Sequence, residues 1–215
     1  MIDSLPIILL GLSFNYMNML WYEVEIQLLE DQRASFNYEP DTLFYGSSSI
    51  RQWTTLADDF KGLKPVNLGF GGSTLAACAW FFDRITDGFQ PERIVVYAGD
   101  NDLADGRHPQ EVAISFKYLA DCVMARYGPI PCYFISLKPS IARWGLIAQF
   151  KYANELLADA IKGSHQNWHW VDIFTPMLNV KGQPEVSYFN ADGLHLNDEG
   201  YRLWSSVLLD TLNPK

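Results

Sequence analysis

The stretch Thr42-Leu43-Phe44-Tyr45-Gly46-Ser47-Ser48-Ser49-Ile50-Arg51-Gln52-Trp53 sets a short apolar run against three consecutive serines, and an amphipathic segment follows at once. A run of this length and character reads as a strand buried on both faces, with a polar turn leading into a helix. Four further runs of the same kind lie at 65–68, 93–98, 131–137 and 168–173, and with 42–45 they make five candidate strands. Helical spacing fills the intervals. Val112, Phe116, Leu119 and Val123 share one face of a helix starting near Pro109, and Tyr201, Trp204, Leu208 and Leu212 form a last face behind Asn197 as its N-cap. About five alternations of strand and helix predict an α/β fold. The architecture expected is a three-layer α/β/α sandwich around a central five-stranded parallel sheet with right-handed crossovers.

The 215 residues, 48% of them hydrophobic, are enough for one well-buried domain, expected over 21–215 behind an apolar N-terminal arm at 1–20. A formal charge of -9 without a basic stripe argues against nucleic acid as a partner. Cys78, Cys122 and Cys132 lie in apolar contexts without CxxC spacing or neighbouring histidines. They read as core filling, which fits a reducing, cytoplasmic setting better than a disulfide framework. The apolar run at 5–14 follows Asp3, and the first Lys or Arg is Arg33. Without a positive leader it reads as neither a secretion signal nor a membrane span. It is expected to pack on the domain or on a partner subunit, so that a homodimer is allowed and stable membrane insertion is not expected. The acidic stretch 23–31 reads as a solvated helix face.

In parallel sheets the ligand crevice lies beyond the carboxyl ends of the strands. Three such ends lead into Gly46-Ser47-Ser48-Ser49, Gly69-Phe70-Gly71-Gly72-Ser73 and Gly99-Asp100-Asn101-Asp102, and Asp192-Gly193-Leu194-His195 lies near the C-terminus. A serine that attacks an acyl carbon needs a base in hydrogen-bond reach, and the base needs an orienting partner. Asp192 can reach Nδ1 of His195 locally and leave Nε2 for a serine; the bland alternative is an Asx turn before the last helix. Backbone amides at the helix start after the serines, the Gly72 amide and the Asn101 side chain are candidate donors for a developing oxyanion.

In order and character these four blocks resemble those of the GDSL/SGNH hydrolases, from roughly Trp21 to the end of the chain. The resemblance implies a flavodoxin-like fold and a serine esterase or lipase that needs no metal or organic cofactor and acts on a small ester. It assigns Ser48 as nucleophile, Asp192 and His195 as its relay, and Ser48, Gly72 and Asn101 as the oxyanion hole. Two departures stand out. Ser47 occupies the usual Asp position of the first block, and Asp100 places a negative charge beside the expected oxyanion site. Ser49 reads as a helix-start residue.

Other readings fit less well. Gly69-Phe70-Gly71 lacks the third glycine of a dinucleotide fingerprint, where Thr74 stands. Asp100, Asp102 and Glu111 match a calcium loop in part, but Asp105 replaces its glycine. No GxSxG elbow is present. A non-catalytic module binding a small acyl or sugar ligand is the alternative from another class. The loop Leu137-Lys138-Pro139-Ser140 and Arg143 beyond it should line the same crevice, with Arg143 either meeting a polar substrate group or bracing the loop through backbone carbonyls. Short loops between the blocks favour a shallow, open site for small acyl groups.

Overall fold

The computed structural model describes residues 19–164 and 167–212. Each of the five apolar runs forms a strand: β1 (Thr42–Gly46), β2 (Pro65–Gly69), β3 (Arg93–Tyr97), β4 (Cys132–Ile135) and β5 (Trp168–Val171). All neighbours pair in parallel, in the order β2-β1-β3-β4-β5. β4 and β5 stop earlier than expected because Ser136 intervenes. Its hydroxyl accepts the amides of Ile173 and Phe174, both at 3.0 Å, so a side chain takes over where the ladder ends.

Helices α1 (Glu23–Gln32), α2 (Ser48–Arg51), α3 (Leu56–Asp59), α4 (Leu75–Ile85), α5 (Asp100–Ala104), α6 (Pro109–Tyr127), α7 (Ile147–Ser164) and α8 (Asp198–Leu212) cover the sheet. Strand residues alternate between two cores, as a pleat of period two requires. Leu43, Tyr45, Ile94, Val96 and Phe134 pack with α4, α6 and α7. Phe44, Val95, Tyr97, Ile135 and Val171 pack with Ile50, Trp53, Trp204 and Leu208 on the other face. The three layers of the α/β/α sandwich follow directly. Both helical faces expected from spacing are buried, and Asn197 caps α8 by accepting the Gly200 amide at 3.1 Å.

The acidic face of α1 is engaged rather than merely solvated. Glu23 and Glu30 both bind Arg84 of α4, at 2.9 and 2.8 Å. Glu25 accepts the Gly71 amide at 2.6 Å and pairs with Arg51 at 3.4 Å. These carboxylates tie α1 to α4 and to the loop after β2, a role that a helical charge pattern alone does not disclose.

Cys78, Cys122 and Cys132 are unpaired, the first and last buried and Cys122 half-buried. Among the described residues no helix is long and apolar enough to cross a membrane. The arm expected at 1–20 lies almost entirely outside the described residues. Because β1 sits between β2 and β3, the chain reverses its winding direction there and opens a crevice above the ends of those three strands.

Candidate active site

The turn after β1 depends on Gly46. Its φ is 138°, and a Cβ there would stand 1.9 Å from the Tyr97 carbonyl oxygen, so only glycine fits. That close approach lets the Ser47 amide donate to Tyr97 O at 2.8 Å, and the Ser47 carbonyl then accepts Ile50 N and Arg51 N at 2.9 and 3.1 Å. Ser47 is thereby the N-cap of α2 through its backbone. Its Oγ is buried and has no hydrogen-bond partner among the described residues. Ser48 opens α2, half-buried, with its Oγ 3.1 Å from Nε2 of His195.

His195 reaches this point from 147 residues away in the chain. Its loop is cross-tied: Asn190 N donates to His195 O at 2.8 Å, and Gly193, at φ 63°, donates to Asn190 O at 2.9 Å. Asp192 satisfies both readings open at the sequence level. Its Oδ1 accepts the Leu194 and His195 amides at 2.9 and 3.0 Å, which is the Asx-type turn, while Oδ2 lies 2.6 Å from His195 Nδ1. Partial desolvation would raise the Asp192 pKa, but the His195 ring and the two amides outweigh it and hold the carboxyl at about 2.

Gly72 sits at φ 67° with open space where a Cβ would stand. Tyr22 OH donates to its carbonyl at 3.2 Å. Among the described residues neither the Ser48 amide nor the Gly72 amide donates to another group. Met19, Trp21, Tyr22, Gly72, Thr74, Asp105 and Arg107 line a cleft of about 690 Å³ on this side. Asn101 is buried, and its Nδ2 donates to Ser73 O at 3.0 Å, which joins the loops after β2 and β3. One N–H of that amide remains for another acceptor.

The charge on Asp100 is not isolated. Asp100 Oδ2 lies 3.1 Å from Lys138 Nζ and 3.0 Å from Arg143 Nη1. Burial works to raise the Asp100 pKa, but these two cations outweigh it and keep the carboxyl below the usual range. Lys138 Nζ also donates to Ser49 Oγ at 3.0 Å and Tyr97 OH at 3.2 Å. Arg143 Nη2 donates to Asn101 Oδ1 at 2.7 Å. The guanidinium therefore meets side chains of the third block rather than loop carbonyls. The sequence points to this loop but not to the part Lys138 plays. The available signal was a lone cation directly after an apolar strand.

The partial calcium pattern dissolves in the fold. Asp100 and Asp102 belong to α5, Glu111 accepts the His108 amide at 2.7 Å, and no cluster of three metal-ligating side chains occurs among the described residues. Asp102 instead accepts the Leu75 amide at 2.8 Å, and burial pushes its carboxyl up to about 6.

Ser48, His195 and Asp192 thus stand in one line of contacts at the carboxyl-end rim of a five-stranded parallel sheet. Residues 37–203 match the GDSL-like Lipase/Acylhydrolase family, and the chain belongs to that family of hydrolases. No curated protein sequence matches it. A Streptococcus pneumoniae structure, provisionally named a platelet activating factor, superposes with a TM-score of 0.80 at 20% identity, covering 95% of this chain and 99% of the other. A GDSL-like lipase from Bacteroides thetaiotaomicron VPI-5482 gives a TM-score of 0.73 at 19% identity, with 87% and 96% covered. A mutant acetyl esterase solved with an acetate ion gives 0.63 at 13% identity, with 80% and 95% covered. At these identities the likeness is one of fold.

Proposed function

We propose that the chain is a serine esterase that cleaves carboxylic esters through an acyl-enzyme on Ser48. The observation that carries this reading is the unbroken contact chain from Ser48 Oγ to His195 Nε2 at 3.1 Å and from His195 Nδ1 to Asp192 at 2.6 Å. His195 takes the Ser48 proton at Nε2 as Oγ bonds to the ester carbonyl carbon, and Asp192 steadies the imidazolium that results. The negative charge on the carbonyl oxygen is met by the Ser48 and Gly72 amides and the spare Asn101 N–H. Collapse breaks the bond to the leaving oxygen, which takes the proton from His195. Water then repeats the cycle on the acyl-enzyme, giving its proton to His195, and the acid leaves as Ser48 regains its hydrogen.

Short acyl esters are the proposed substrates. The short loops between the blocks and the fold shared with an acetyl esterase support that choice. The test is a panel of p-nitrophenyl esters of increasing chain length run beside acetylated sugars, with wild type and Ser48→Ala, and with fluorophosphonate labelling followed by mass spectrometry. Ser48→Ala should lower kcat by up to about a million-fold and abolish labelling. Ester turnover by Ser48→Ala at the wild-type rate would refute the assignment, and a wild type that neither turns over nor labels would leave a binding module in its place.

A further inference from the structure

Asn101 is asked to present one N–H in one direction, yet a primary amide can rotate end for end and reverse its donor and acceptor. Three contacts bear on this. Arg143, which can only donate, takes Asn101 Oδ1 at 2.7 Å, and Ser73 O takes one of the two Nδ2 hydrogens at 3.0 Å. With the oxygen held by a cation and one hydrogen held by a carbonyl, the other hydrogen has a single direction. Arg143 is itself held by charge: its second nitrogen forms an ion pair with Asp100 Oδ2 at 3.0 Å, without a hydrogen bond directed along it. The Arg143, Asp100 and Lys138 side chains are 16%, 5% and 1% exposed, so the arrangement is enclosed rather than offered to a ligand.

The same carboxylate oxygen reaches the nucleophile turn. Lys138 bridges Asp100 Oδ2 to Ser49 Oγ and Tyr97 OH, which uses all three of its hydrogens. Ser49 follows Ser48 in α2, and Tyr97 accepts the Ser47 amide through its carbonyl. One buried carboxylate thus joins the residue after the proposed nucleophile, through Lys138, to the Asn101 amide, through Arg143, and both cations come from the loop at the carboxyl end of β4.

We propose that Arg143 is a positioning residue, not a substrate ligand: anchored on Asp100, it locks the Asn101 amide in its oxyanion-facing orientation, with Lys138 fixing the nucleophile turn to the same anchor. This rests on the esterase reading of the site. Arginine suits the task because its two terminal nitrogens serve Asn101 and Asp100 together, which a single ammonium cannot.

The test is a double-mutant cycle with Arg143→Lys and Asn101→Ala, measuring kcat, KM, the fluorophosphonate labelling rate and the melting temperature. Arg143→Lys keeps the charge beside Asp100, so the fold should survive. It should lower kcat by about 10–100-fold with KM within about threefold of wild type. In the Asn101→Ala background the same substitution should change kcat by less than about threefold, because the group it positions is gone. A rise in KM at unchanged kcat would make Arg143 a substrate contact. Equal losses in both backgrounds, or wild-type kcat in Arg143→Lys, would also overturn the inference. If wild type neither turns over esters nor labels at Ser48, the esterase reading falls and takes this one with it; turnover that depends on Ser48 alongside an additive cycle removes only the inference.

Discussion

Replacing Asp192 by Asn tests the proposed relay at its most exposed member. The Asp192 side chain is 49% exposed, so solvent screens much of its charge and a purely electrostatic contribution would be small. The geometry sets a larger effect. Two backbone amides hold Oδ1, at 2.9 and 3.0 Å, and an asparagine must put its carbonyl oxygen there because its amide nitrogen cannot accept. The NH2 group then faces His195 Nδ1 at the position where Oδ2 now lies 2.6 Å away. Two donors cannot share that contact, so the ring shifts its proton to Nε2, the nitrogen that must accept from Ser48 Oγ. A relay with the wrong tautomer loses about 10³–10⁴ in kcat, or roughly 4–5.5 kcal/mol of barrier. Hydrolysis of p-nitrophenyl acetate gives kcat, and the fluorophosphonate labelling rate should fall in parallel because it reports activation of the same oxygen. A loss below about tenfold in both readouts, with an unchanged melting curve, would refute the claim that the aspartate sets the ring's tautomer.

Asp102 carries a pH signature opposite in sign to that of Asp192, whose carboxyl is held low. Burial raises its folded pKa to about 6, above the unfolded value near 3.9, so its contribution to stability is full below about pH 4 and is lost as pH rises through 6. Asp102→Asn, which can still accept the Leu75 amide, should gain stability relative to wild type between pH 4 and pH 7.5, by at most about 3 kcal/mol. Urea midpoints for both proteins at the two pH values measure this, and parallel changes would contradict it. Gly46→Ala would drive a Cβ to 1.9 Å from Tyr97 O at φ 138°, and should cost at least about 3 kcal/mol, a fall of roughly 6–12 °C in Tm for a chain of this size. A melting temperature within a degree or two of wild type would mean that the turn relaxes in a way its geometry does not suggest.

The layers of the fold were legible because periodicity is a local property. The pleat buries alternate residues of β1 on opposite faces, Leu43 and Tyr45 on one and Phe44 on the other, and α6 and α8 bury every third or fourth side chain. Strand ends were less legible, since a side chain such as Ser136 can take over the backbone amides where the pairing stops. The candidate site was legible as blocks for a topological reason: in a parallel sheet every strand end arrives at one rim, so order along the chain already implies assembly in space. What order could not supply was the partner of each charge. Asp100 stood out as a stray negative group, and the acidic face of α1 as solvated.

By itself the sequence determined the alternation of strands and helices, the two cores, the strand-end loops that gather at one rim, and the Asp192 turn, all of which follow from spacing or from contacts between near neighbours in the chain. Only the tertiary structure decided that Ser48 meets His195 across 147 residues, that Gly46 admits no side chain because the Tyr97 carbonyl is already there, and that one buried carboxylate carries two cations. The physical reason is range. Backbone preference and amphipathic spacing act over a few residues, whereas a contact of about 3 Å between distant segments exists only after loop closure and packing have selected one arrangement from the many that the same local preferences allow.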